Sequence, residues 1–439
     1  MCWLITNNQK ALRPAFLFLL LLLPLSTTAQ VSKIDREMAF VMLERTKDAI
    51  KNNYYDPTFH GVDIDFVFEQ AKARIQAAPT RDALMMTIAS AVMSLDDSHT
   101  TFFPPARAAE IDYGWQAGVY GDDCYVMRVK PNSDAEAKGL KAGDKLLTID
   151  GLTPTRKNIW KMYYRYFVVA PAANVKMTVL HPGYEKPETL SINTKIEKTS
   201  EVMTYEMVYI KGLRKGWWDA TKAFELKRFG EDLSILKMHT FSLKEQSLDH
   251  AMSQVKNSKT LILDLRDNGG GAVSILQRLL GYFFDEEIKI GDEKRRKETK
   301  PLIAKSQKGN TFKGKLIVLV SQESASASEI FAKIIQLRGR GKIIGDVTAG
   351  AVMESRYQEI DGGIGQNLWY GATVTVADLI MTDGKSLEKF GVIPDETMLP
   401  TGKDLAESRD PVLSYAAKLA GVEITPENAG KFFPYEWSK

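Results

Sequence analysis

Apolar positions recur at helical spacing near the start of the chain, at Met38, Val41, Met42, Ala49 and Ile50, until Asp56-Pro57 breaks the pattern. A second helical segment is expected from about Val62 to Ala77. A third follows Thr80, whose hydroxyl suits an N-cap, with Asp82 in the first turn where the helix dipole favours an acid; it ends near Met93. From about Gly114 to Lys198 the pattern shortens to strands and turns. Tyr125–Val129, Lys176–Leu180 and Leu190–Thr194 read as strands, bounded by Pro131-Asn132 and Pro182-Gly183. Beyond about Val202 strands and helices alternate. Thr260–Leu265 and Lys315–Val320 are nearly continuous apolar runs, as expected of strands covered on both faces. Helices are predicted after Gly271 and from Ser326 to about Leu337, then a short strand at Lys342–Ile344. Such alternation predicts an α/β layered core.

The first 29 residues follow a different logic. Lys10 and Arg13 precede the apolar run Ala15–Leu25, and Ser26-Thr-Thr-Ala29 supplies small residues after it. This order reads as a secretory signal peptide, and the run is too short to span a bilayer, which needs about 20 apolar residues. Removing the leader takes away two cations and no acid, so the net charge falls from +3 to +1. Near-neutrality argues against nucleic acid as a partner. Cys2 leaves with the leader and Cys124 stands alone, so no intramolecular disulfide is available. The mature protein is expected to be exported, periplasmic or extracellular, with no stable membrane span. At 44% hydrophobic and 26% charged residues the composition is globular and excludes intrinsic disorder.

Three segments carry candidate chemistry. Ser324-Ala-Ser326-Ala-Ser328-Glu329 lies directly after an apolar strand and before a helix. A serine there can present its hydroxyl at the positive end of a helix, although an ordinary N-cap gives the same pattern. Asp264-Leu-Arg-Asp-Asn268-Gly-Gly-Gly271 ends another strand, and an amide of Gly269 or Gly270 can form half of an oxyanion hole with Ala327 N–H. Its spacing does not match a phosphate-binding loop. Asp97-Ser98-His99-Thr100 sets one of only five histidines among hydroxyls and an acid, and histidine is the natural base for a serine nucleophile. No His-Glu-x-x-His or Cys/His cluster has metal-ligand spacing, so no metal or cofactor is expected.

Two resemblances follow from these residues. Ala135-Glu-Ala-Lys-Gly-Leu-Lys-Ala-Gly143-Asp144-Lys-Leu-Leu-Thr-Ile-Asp150-Gly151 resembles the helix, Gly-Asp turn and strand of a PDZ domain. Such domains add a peptide to a sheet edge and hold its carboxylate on backbone amides. The matching loop would comprise Trp115, Gln116, Ala117, Gly118 and Val119, where a plain β-hairpin is the competing reading. Together with the serine and glycine motifs and Gly391-Val-Ile-Pro-Asp395, this order resembles the C-terminal processing peptidases, or tail-specific proteases. The resemblance implies a crotonase/ClpP-like α/β core over 199–439 with a C-terminal helical extension. It also implies an N-terminal helical region over 30–108 and an inserted, mainly β PDZ domain over 109–198.

One departure changes the expected mechanism. The Ser–Lys members carry a lysine about twenty-five positions after the middle serine; here that position is Ala351, and no lysine lies between Lys342 and Lys385. The tricorn-core branch resembles this chain in using serine, histidine, a second serine and glutamate. Ser326 would then be the nucleophile, His99 the base, and Glu388 would orient the ring directly or through Ser98, with Asp97 a competing orienter. The expected activity is serine endopeptidase action on protein or peptide substrates, taken through their C-termini, with oligomers possible. The alternative is an inactive member of the fold that binds a peptide or hydrophobic ligand.

Overall fold

Strands Thr260–Asp264 and Lys315–Val320 lie side by side and parallel at the centre of a six-stranded sheet. The computed structural model describes residues 31–105, 107, 109–198, 223–361, 369–435 and 437; the leader expected over 1–29 lies outside them. Across this sheet the order is Glu396–Thr397, Lys342–Gly345, Lys315–Val320, Thr260–Asp264, Leu233–Met238 and Phe224–Phe229, all parallel except the last. Alternate residues explain the unbroken apolar runs. Leu261, Leu263, Leu316 and Val318 pack on one face with helices Glu245–Val255, Val273–Gly281 and Ala327–Leu337. Ile262, Ile317 and Leu319 pack on the other face against Val412, Leu413 and Ala416 of helix Pro411–Leu419.

A second sheet joins the N-terminal helices to this core. Its long strand Trp369–Met381 pairs with Met353–Asp361, Ile288–Arg295 and Thr101–Phe103. Helices Lys33–Asn53, Ile64–Ala77 and Arg81–Met93 bury Leu43, Ile50, Phe68 and Ile88 against Phe102, Tyr370, Ala372 and Val374. Thr80 caps the third helix as its sequence predicts, accepting from Ala83 N at 3.1 Å. The strand after that helix therefore fixes Asp97–Thr100 to this second sheet.

The third sheet is antiparallel and five-stranded: Trp115–Tyr120, Asp123–Val129, Lys145–Ile149, Asn174–Leu180 and Glu188–Asn193. It has its own core of Trp115, Ala117, Val119, Val126, Leu146, Val175 and Met177. Trp115 to Val119 form no open carboxylate-binding loop here. They are a buried strand in a hairpin with Asp123–Val129. Three of their side chains are needed in the core of the unit, and the Tyr163 hydroxyl accepts from Ala117 N (3.0 Å) and donates to Ala117 O. Among the described residues no helix is long and apolar enough to cross a membrane.

Candidate active site

Ser326 sits on the sharp turn between strand Lys315–Val320 and helix Ala327–Leu337, at φ +56° and ψ −117°. Positive φ is costly for a residue with a Cβ and persists only where the surroundings over-determine it. The surroundings do so here. Ser324 Oγ donates to Leu265 O at 2.8 Å, Ser328 Oγ donates to Asn268 O at 2.8 Å, and Ala325 N donates to Asn268 O at 3.0 Å. The flanking serines are thus fasteners, and Ser326 alone of the three takes the strained conformation. Gly270, at φ +88°, is pressed against it: a Cβ there would lie 2.8 Å from Ser326 Cβ and from Ala325 O. Only glycine fits.

Glu329 locks the turn from below. Its buried carboxylate accepts from Ser326 N (3.0 Å), Thr348 Oγ1 (2.6 Å), Gly350 N (2.8 Å) and Ala351 N (2.9 Å). Burial pushes its pKa up to about 7, with the four donors pulling the other way. Its role went unread in the sequence, although Ser326-x-x-Glu329 has the spacing of a capping box.

The glycine turn also differs in detail from its expected role. Gly270 N–H donates to Asn268 Oδ1 at 2.9 Å and Asn268 Nδ2 donates to Met238 O at 2.7 Å. Gly270 is therefore no oxyanion donor, because its amide is spent on ordering the turn. Gly269, which lines the cavity beside Ala325, and Ala327 at the first helical position remain as candidates.

Ser98, His99 and Glu388 come together although 290 residues separate Ser98 from Glu388. Ser98 Oγ lies 2.7 Å from His99 Nδ1 and donates to Glu388 Oε2 at 2.9 Å. Glu388 also accepts from Ser98 N at 3.0 Å and Val352 N at 2.9 Å, and is only 8% exposed. Burial raises its pKa to about 7. Burial lowers the His99 pKa, against the opposing pull of Asp97, and so favours the neutral ring. Asp97 does not orient the ring: it accepts from His99 N, Thr100 N, Thr100 Oγ1 and Thr375 Oγ1, and so fixes the loop.

The two halves of the site hang on one peptide group. Ala351 O accepts from Ser326 N at 3.0 Å, and the N–H of the same peptide, Val352 N, donates to Glu388. No hydrogen bond joins Ser326 Oγ to His99 here. His239 lines the same cavity, but its Nε2 is engaged by Glu225 at 2.9 Å. The cavity, of about 920 Å³, is lined by Ser98, Glu388, Gly269, Ala325, Gly350 and Ala351 together with aromatic residues. Among the described residues no group of three or more His, Cys, Asp or Glu side chains is placed to hold a metal ion.

Comparison with known proteins agrees with this architecture. Residues 232–398 match the model of peptidase family S41. The chain is 24% identical over 384 residues to the carboxyl-terminal-processing protease of Picosynechococcus sp., covering 83% of this chain and 85% of the relative. It is also 24% identical to the carboxy-terminal processing protease CtpA of Bacillus subtilis, over 85% of this chain and 74% of that one. Among solved structures, mature CPAF superimposes with a TM-score of 0.64 at 12% identity, covering 85% of this chain and 94% of its own. The photosystem II D1 C-terminal processing protease gives 0.51 at 19% identity, with 89% and 99% covered. These last two likenesses establish a shared mixed α/β fold. The chain is a serine peptidase whose residues 232–398 match peptidase family S41 and which is similar along most of its length to the C-terminal processing proteases.

Proposed function

We propose that this chain is an exported endopeptidase acting on unfolded or C-terminally presented proteins, with Ser326 as nucleophile and His99 as general base. The observation that carries the reading is the chain His99 Nδ1, Ser98 Oγ, Glu388 Oε2, at 2.7 and 2.9 Å. A hydroxyl has a single proton. When Ser98 gives it to ionised Glu388, Ser98 Oγ must accept from Nδ1–H, and Nε2 keeps the lone pair that a nucleophile's proton requires. Ser326 Oγ then attacks the peptide carbonyl as its proton passes to Nε2. Glu388, acting through Ser98, stabilises the imidazolium. The Gly269 and Ala327 amides face the developing oxyanion, and Nε2–H protonates the leaving amine. Water repeats the sequence on the acyl-enzyme. No hydrogen bond joins nucleophile and base in the free protein, and such bonds commonly tighten only on substrate binding. The antiparallel unit over 113–193, read as a PDZ-type insert, would hold the substrate's end across the cavity.

Hydrolysis of an unfolded protein such as reduced casein tests the proposal: the wild-type chain degrades it and Ser326→Ala does not. Equal degradation by the variant overturns the assignment. Ala351 at the position of the family's lysine favours a second reading, a binding protein without turnover. That reading predicts tight peptide binding and intact peptide after long incubation.

A further inference from the structure

Tyr113, Trp115, Trp160, Tyr163, Tyr164 and Phe167 give the cavity an aromatic wall. Three polar atoms in the cavity lining are buried without a hydrogen-bond partner among the described residues: Trp115 Nε1, Gln322 Oε1 and Glu323 Oε2. Buried polar groups are normally paired, so a donor and acceptors left open in one cavity call for a ligand rich in both, as a peptide backbone is. The chain's own C-terminal segment reaches the same cavity, beside the strand that carries Trp115. Gln116 Nε2 donates to Tyr435 Oη at 2.9 Å, and the Arg128 guanidinium lies over the Tyr435 ring, 4.0 Å from its centroid. Arg128 also donates to Gln116 Oε1 at 2.9 Å, so the two side chains form one platform. The rings of Tyr435 and Trp437 meet edge-on at 5.2 Å, and Trp437 is itself part of the cavity lining.

We infer that this wall is a docking site for peptide segments carrying two aromatic side chains two residues apart, and that Tyr435 and Trp437 of the chain's own C-terminal segment are its resident occupants. The aromatic faces, the Arg128 cation and the Gln116 amide select an aromatic pair with a phenol hydroxyl. The open polar atoms beside them take the backbone of an incoming substrate. The inference deepens the proposed function by naming a substrate feature, and it rests on that function only for the consequence that an occupied wall slows turnover. A tethered occupant of about 100 µM intrinsic affinity, at an effective concentration of about 1 mM, weakens a competing peptide roughly tenfold.

The test uses the chain carrying Ser326→Ala, so that nothing is cut, and a fluorescein-labelled, C-terminally amidated copy of residues 432–439. Fluorescence anisotropy gives its affinity with the tail intact and with Tyr435→Ser and Trp437→Ser combined. The emptied wall should bind about tenfold more tightly, and adding Arg128→Ala should remove most of that gain. Equal affinities, or equal binding of a peptide with both aromatics replaced by serine, overturns the inference. A second readout needs no tail substitution: saturating peptide should speed carboxypeptidase removal of the tail at least fivefold by mass spectrometry. An unchanged rate overturns the inference too. Because neither readout uses catalysis, failure of Ser326 as nucleophile leaves both unaffected.

Discussion

Replacing Glu388 with glutamine removes one charge and almost no volume, which isolates what the carboxylate does. In the wild-type chain, Glu388 reaches His99 through Ser98 across hydrogen bonds of 2.7 and 2.9 Å. An imidazolium and a carboxylate about 5 Å apart, at an effective dielectric of about 20, attract by about 3 kcal/mol. Since about 1.4 kcal/mol is tenfold in rate, kcat should fall roughly two hundredfold from electrostatics alone. The amide adds a second loss. Glu388 accepts from Ser98 N, Ser98 Oγ and Val352 N, and a glutamine must turn an NH2 toward one of these donors. If it donates to Ser98, the serine donates to Nδ1 and Nε2 carries the proton, the wrong tautomer. The analogous orienting-carboxylate substitution in a serine triad costs about 10⁴. Steady-state hydrolysis of a fluorogenic unfolded substrate, with kcat and KM separated, should therefore show kcat lowered by about 10² to 10⁴ and KM little changed. A loss of less than about threefold would refute the relay. The pH profile gives a second reading of the same variant. Wild-type kcat should rise with pH through about 7 as Glu388 ionises, and the variant should lose that limb.

Ser98→Ala breaks the link while keeping the carboxylate, and kcat should fall at least tenfold; a melting scan should show the fold intact. Gly270→Ala places a methyl 2.8 Å from Ser326 Cβ at φ +88°. Backbone strain alone costs about 1–2 kcal/mol, so both melting temperature and activity should drop. Glu329 bears on stability against pH. Its folded pKa of about 7 lies above the ordinary glutamate value, so the native state holds the extra proton from about pH 4.5 to about 7. Stability must fall as pH rises across that window, by at most about 1.4 kcal/mol per pH unit for this group. The depressed His99 pKa acts with opposite sign below about 6.5. Urea titrations should show the downward slope reduced in Glu329→Gln; an unchanged slope contradicts the assignment.

The central strands were legible because residues buried on both faces leave an unbroken apolar run, and helix Ala327–Leu337 matches its sequence expectation. The pairing of Ser98-His99 with Glu388 came from motif resemblance, since nothing local connects positions 290 residues apart. Two matters stayed hidden for the same reason. Which glycine amide is free depends on Asn268 Oδ1 reaching Gly270 N, a geometric fact with no sequence signature. Whether Trp115–Val119 forms a loop or a buried strand depends on Tyr163, 46 residues away, closing over Ala117. The long strand Trp369–Met381 was likewise unassigned, because its partners lie in three distant segments.

Labelling with a fluorophosphonate probe, mapped by peptide mass spectrometry, tests most directly whether an imidazole activates this serine. The account predicts one adduct, on Ser326, forming faster as pH rises through about 7. It also predicts that His99→Ala suppresses labelling at least a hundredfold. An adduct on another serine, or undiminished labelling of Ser326 without His99, would contradict it.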